Sequence, residues 1–411
     1  LRHFGIKILR EVKEIYRIMS FSTFLILSLL LSVNLVLPYG QGVSRFASES
    51  EVKIKDLKKV VFVASRESNE LTAIDTENHR VLWRTSVGAS PHMAVVSSKG
   101  LVYVTGTKSD EITIVDGYTG KVEGKVSTNA AGPEHATLSP DGKRLFVANV
   151  EGNTVSVIDV ESKKLIANIP TLKPHNIVLT PDGKKAYVTQ LGSFEVLALD
   201  LIEKLPQVIG QIYSGSKIRL ASLDMEKVHG VNNAVYVDGL IFAPNQGTGE
   251  VAIIDTRNDE LISIIKIGRE PWEPYATPDG RLVLVPNIGD GTVSVINTLE
   301  KEVVATLPGG RDMTGISITP DSKKAYLVRR GDNKVSVFDL EDLVLVKEIT
   351  VGTSPEVSTI TGDGLKVFVT NSGSDDVSVI DTRVDKVVST IKDVGRFPWA
   401  LSAFGGYNYC H

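Results

Sequence analysis

The chain has 411 residues, 42% hydrophobic and 23% charged, a globular balance that excludes a disordered chain. A formal net charge of −4 excludes the basic field on which nucleic-acid binding depends. A single cysteine, Cys410, excludes an intrachain disulfide and any Cys-based zinc or iron–sulfur centre.

Residues 1–18 carry five basic side chains (Arg2, Lys7, Arg10, Lys13, Arg17) against Glu11 and Glu14. An apolar run follows from Phe24 to Leu37, broken by Ser28, Ser32 and Asn34, and Pro38 ends it. Gly40-Gln41-Gly42 then places small residues where a signal peptidase reads them. A basic flank, a short apolar core and a small-x-small site predict a secretory signal over residues 1–42. The alternative is an uncleaved N-terminal anchor, the one segment through which the chain would touch a membrane. Either way the body is expected to be exported, to the periplasm or the cell surface. Removing residues 1–42 leaves 40 Lys+Arg against 47 Asp+Glu, a soluble acidic body. Residues 43–57 are expected to be a linker.

From residue 58 one unit repeats. An apolar run ending in a small or polar residue recurs around Phe62, Tyr103, Phe146, Tyr187, Phe242, Leu284, Tyr326 and Phe368, at steps of 41, 43, 41, 55, 42, 42 and 42 residues. Each run leads through a Gly/Asn/Asp turn to an alternating segment such as TVSVID. These segments end at Asp75, Asp116, Asp159, Asp200, Asp255, Asn297, Asp339 and Asp381. A third alternating segment, a Pro-containing connection, a fourth short segment and a PDG-type turn complete the unit. Period-2 alternation rich in Val, Ile, Thr and Tyr predicts strands, and the turn clusters predict tight hairpins. The fold class is therefore all-β. Four strands in about 42 residues is the content of a β-propeller blade. The strands predict eight blades, with seven as the alternative. The leftover segment PWALSA, 398–403, is expected to complete the first unit and close the ring. The propeller would span 58–403, with 404–411 as a C-terminal tail.

The quartets YVTG, FVAN, YVTQ and FVTN at these anchors resemble the YVTN-type propeller repeat family, over about residues 58–403. That family is similar to the haem d1-binding propellers of nitrite reductase and its biosynthetic relatives. The resemblance implies the propeller fold and points to a haem d1-type macrocycle as one candidate ligand.

The histidines cluster in register. His92, His135, His175 and His229 fall where an outer strand returns to begin the next inner strand, a point that lies at one mouth of a propeller channel. The same level holds Glu134, Trp272, Asp312, Glu356 and Trp399, and a proline commonly precedes it. Imidazoles with a carboxylate suit copper, zinc or iron, or the axial position of a haem. The expected metal set is His92, His135, His175 and His229 with Glu134 or Glu356. A macrocycle would take Trp272 and Trp399 as walls and Arg311 or Arg396 at its carboxylates. For the arginines, rim ion pairs with Glu273 or Asp312 are the structural alternative. An insertion of about 13 residues near Tyr213–Lys227 is expected to overhang the same mouth.

Three functions compete. One is a periplasmic or surface propeller that binds a metal, haem-type cofactor or small ligand at the mouth for redox chemistry or cofactor handling. The second is a non-catalytic scaffold binding protein or glycan. The third is a lactonase-like hydrolase. The chain is expected to be monomeric. The terminal YNYCH lacks the first cysteine of a c-type haem site, and the Asp-rich loops lack a calcium ligand set.

Overall fold

The residues described by this computed structural model are 54–203, 205–215 and 230–404. The expected signal over 1–42, most of the linker, His229, residues 216–227 of the insertion and the tail from 405 lie outside them. The chain divides into two units, 1–51 and 52–411, and the description concerns the second. Among the described residues no helix is long and apolar enough to cross a membrane.

The repeat chemistry explains the strands. The Asp closing each third strand caps the hairpin that follows it. In blade 1, Asp75 Oδ1 accepts from the Glu77 and Asn78 amides at 2.7 and 3.0 Å. Asp116, Asp159, Asp339 and Asn297 make turns of the same kind. The PDG-type turns are held likewise. Asp182 accepts from the Thr180 hydroxyl and the Lys184 amide, and Asp321 from Thr319 and Lys323.

These hairpins build eight four-stranded antiparallel sheets. Blades 2 to 8 each run inner to outer along the sequence, beginning with the inner strands Pro91–Val96, Pro133–Leu138, Pro174–Leu179, Val235–Val237, Tyr275–Ala276, Met313–Ile318 and Pro355–Ile360. Blade 1 takes Val60–Ser65, Glu70–Asp75 and Arg80–Ser86 from the start of the ring and its inner strand, Pro398–Ala403, from the end. Phe62 pairs with Ser402 and Val63 with Leu401, the closure expected from the leftover strand. Lys366 Nζ reinforces this seam by donating to the Thr76 carbonyl at 2.6 Å, from blade 8 to blade 1.

The core lies between blades. The eight anchor side chains are fully buried. Two tyrosine anchors bind the next blade. Tyr326 donates to Asp385 at 2.6 Å, and Lys324 joins the same carboxylate at 2.8 Å. Tyr187 and Lys185 treat Asp259 in the same way. Blade 6 departs from the pattern. Its anchor is Leu284, and the paired position on the inner strand is Tyr275, where other blades have Val, Thr or Ser. The aromatic volume has crossed from the second strand to the inner one, which conserves packing and carries a phenol toward the channel.

The Thr of the quartet sets the inner strands. These strands bulge after their proline, between Pro174 and Ile177 in blade 4 for example. Thr189 Oγ1 fills that bulge, accepting from the Asn176 amide at 2.9 Å and donating to the Asn232 carbonyl of blade 5 at 2.6 Å. Thr105 links blade 2 to Glu134 of blade 3, and Thr370 links blade 8 to Trp399 of blade 1. Thr189→Val keeps the shape but strands a buried amide and a carbonyl. A loss of about 1–3 kcal/mol is expected in urea unfolding. A change within error would show that water replaces the hydroxyl.

Candidate functional site

The chain enters each blade beside the last residue of the second strand: Pro91 pairs with Gly106, Pro133 with Asn149, Pro174 with Gln190, Met313 with Arg329, Pro355 with Asn371 and Pro398 with Ser65, while in blades 5 and 6 isolated bridges, Val231 to Asn245 and Pro271 to Asn287, precede the inner strands. The residue that follows forms one level around the axis. From blade 2 onward it is His92, Glu134, His175, Asn232, Trp272, Thr314 and Glu356, with Trp399 in blade 1. Two expectations are corrected here. The blade 5 residue at this level is Asn232, three positions after His229, and the blade 7 residue is Thr314, two after Asp312. Neither connection has the proline that sets the strand entry elsewhere, so the spacing differs.

Blades 2 to 4 hold the histidines. His92, His135 and His175 are all buried. His135 lies one residue out of register, yet its ring is the central one. Its centroid is 5.5 Å from that of His92 and 4.2 Å from that of His175. The bulge turns His135 back between two neighbours on the level before it. His175 Nδ1 lies 3.1 Å from both the Asn232 carbonyl and Asn233 Oδ1, which fixes the ring. Among the described residues no group of three or more His, Cys, Asp or Glu is arranged to hold a metal ion.

Glu134 is half-buried between the first two histidines in blade order. Burial pushes its carboxyl up to about 7; Arg66 pulls it down and Glu151 pushes it up further. Blade 1 supplies an aromatic and basic neighbour. The Arg66 guanidinium lies over the Trp399 ring, 4.5 Å from its centroid. Phe397 stacks on the same indole at 5.9 Å, and the His92 ring is 5.8 Å away.

Glu356 is buried and sits two blades from His92. Arg330 Nη1 donates to one of its oxygens at 2.8 Å and Ser372 Oγ to the other at 2.6 Å. Arg330 also clasps Asp312 through Nε at 2.7 Å. Arg311 is exposed on the rim. It pairs with Asp332 at 2.8 Å, and Arg269 pairs with Asp290 at 2.6 Å. The rim ion pair expected for Arg311 therefore forms, but with a turn aspartate instead of Glu273 or Asp312. Arg396 uses its backbone amide on Ser68 Oγ at 3.0 Å.

Trp272 is half-buried in the connection that leads into the blade 6 inner strand. Beside it, Glu273 is buried and accepts from the Tyr275 hydroxyl at 2.7 Å. Burial pushes its carboxyl up to about 8 against the pull of that hydrogen bond. Arg66 and Arg330 are the mouth residues that motif reading passed over, and Glu273, expected as a rim ion-pair partner, is instead a buried acid. Signals existed: Arg329 stands where other repeats commonly read Asn, with Arg330 directly after it, and Leu284 is the one non-aromatic anchor.

The sequence pattern of the YNCE-like beta-propeller family matches residues 93–405. Hydrazine synthase subunit beta of Kuenenia stuttgartiensis is 39% identical over 44 residues, so the match spans 11% of this chain and 11% of that protein. The solved Kuenenia stuttgartiensis hydrazine synthase superposes with a TM-score of 0.55 at 23% identity, covering 72% of this chain and 96% of that one. Dihydro-heme d1 dehydrogenase NirN in complex with DHE gives 0.72 at 15% identity, covering 88% and 78%. Apo AztD from Citrobacter koseri gives 0.64 at 14% identity, covering 85% and 98%. At such identities the structural likeness concerns the fold.

Proposed function

The chain belongs to the YNCE-like beta-propeller family, and from that premise we propose that it is an exported binding propeller that takes a transition-metal centre at its histidine-lined mouth. The observation that carries this reading is the packing of His92, His135 and His175 from three successive blades, with centroids 5.5 and 4.2 Å apart. Imidazoles are the commonest ligands of copper, zinc and iron. A ligating histidine is normally oriented through its other ring nitrogen, the role that Asn232 and Asn233 would play for His175. His229 and Glu134 are the proposed further members of the set. A bound copper or iron would supply one-electron redox chemistry; zinc would make the protein a carrier. Export rests on the basic, apolar and small-residue segments of residues 1–42.

A haem-type macrocycle is the second reading. The Trp399, Phe397 and Arg66 stack beside His92 favours it, as a flat apolar and cationic wall next to an imidazole. NirN, a propeller in complex with DHE, shares the fold. A lactonase-like site has less support, because Arg330 and Glu356 engage each other.

The test is elemental analysis and visible absorbance of the purified protein, followed by titration with Cu(II), Zn(II) and haem. Wild type should take up one equivalent of a metal or haem. His135→Ala combined with His175→Ala should lose uptake by about a hundredfold or more while keeping a cooperative melt. If wild type takes up neither metal nor haem, the protein is a scaffold and the histidines are packing groups.

A further inference from the structure

Blades 5 to 7 present a different chemistry at the same mouth level. Asn232, Asn233 and Thr314 are more than nine-tenths buried. Asn232 Nδ2 and Oδ1, Asn233 Nδ2, Trp272 Nε1 and Thr314 Oγ1 are all buried without a hydrogen-bond partner among the described residues. A buried polar atom left unsatisfied is costly, so five in one arc point to an occupant. Four of the five can donate, and the asparagine amides and indole nitrogen carry no charge.

Glu273 belongs to the same arc. Its Oε2 accepts from Tyr275, the residue brought to the inner strand by the Leu284 exchange. Tyr275 lies next to the blade 7 strand, since a Cβ built on Gly315 would stand 3.7 Å from its hydroxyl oxygen. The volume exchange in blade 6 thus ties the acid to the strand that carries Thr314. With its carboxyl pushed up to about 8 by burial, Glu273 is neutral near pH 7 and offers a further O–H instead of a repelling charge.

We propose that Asn232, Asn233, Trp272, Glu273 and Thr314 form a subsite for the carboxylate group of a small organic acid. A carboxylate presents two oxygens with about four acceptor sites, the complement of an uncharged donor arc. A neutral polyol would bring its own donors to a site already rich in them. The subsite uses no histidine; it meets the histidine cluster only where the Asn232 carbonyl and Asn233 Oδ1 contact His175 Nδ1, and Trp272, Glu273 and Thr314 lie in other blades.

Calorimetric titration of the metal-free protein with succinate tests this, with glucose and inorganic phosphate as comparison probes. Saturable 1:1 binding of succinate is expected, with no heat from glucose. Asn232→Ala and Thr314→Val should each weaken it about tenfold, the loss of one hydrogen bond to a charged group. Glu273→Gln should stay within about threefold, because an amide N–H replaces the acid O–H. Thermal melts of each variant confirm folding. Absence of succinate binding would overturn the proposal. So would equal binding of phosphate or glucose, or a Glu273→Gln loss as large as that of Thr314→Val.

Discussion

Replacing Glu273 by Gln is expected to stabilise the protein at pH 8 and to leave its stability nearly unchanged at pH 4. In the native state the carboxyl titrates at about 8, pushed up from an ordinary value of 4.5 by burial. Between those values the unfolded chain releases a proton that the native protein keeps, so wild-type stability falls as pH rises through the window. At about 1.4 kcal/mol per unit, the shift corresponds to roughly 5 kcal/mol across it. Below the unfolded value both states hold the proton and the stabilising contribution is fully present. Glutamine has no proton to lose and can still accept from the Tyr275 hydroxyl. Urea unfolding of both proteins from pH 4 to 8.5 should give curves that separate progressively above pH 4.5. Parallel curves would mean that the native carboxyl is ionised and solvated.

A chain stopped after Phe397 should lose the cooperative native melt altogether. Pro398–Ala403 is the inner strand of blade 1, and its Ala400, Leu401 and Ser402 are buried. Without it, Val60–Ser65 becomes an unpaired edge, and Val61 and Val63, which share a core cluster with Leu401, lose its cover. Open apolar edges aggregate, so insoluble protein is the expected outcome. Leu401→Ala is the milder form, with an expected cost of about 2–5 kcal/mol. Soluble truncated protein melting within a few degrees of wild type would show that the ring does not need this closure.

The architecture was legible in the sequence because its determinants are local and repeat. A Pro-Asp-Gly turn, an Asp closing a third strand and an aromatic at a 42-residue step act within a few residues of themselves. Eight copies average out the exceptions, and the unmatched PWALSA segment could only belong to the first unit. The shared level of His92 and His175 was legible for the same reason. The mouth was not. That His135 is the central ring follows from a bulge filled by a threonine hydroxyl, and such an irregularity breaks the alternation on which reading by period depends. The Arg66–Trp399 contact joins residues from opposite ends of the chain, and Arg330 reaches Glu356 from the neighbouring blade. The fully buried acid at Glu273 depends on Tyr275 and Leu284 exchanging places across two strands. Period, turn chemistry and composition determined the ring by themselves. Which side chains meet inside it, and which carboxyls keep their protons, was decided by closure of the ring, because burial and partnership at its axis come from different blades at once.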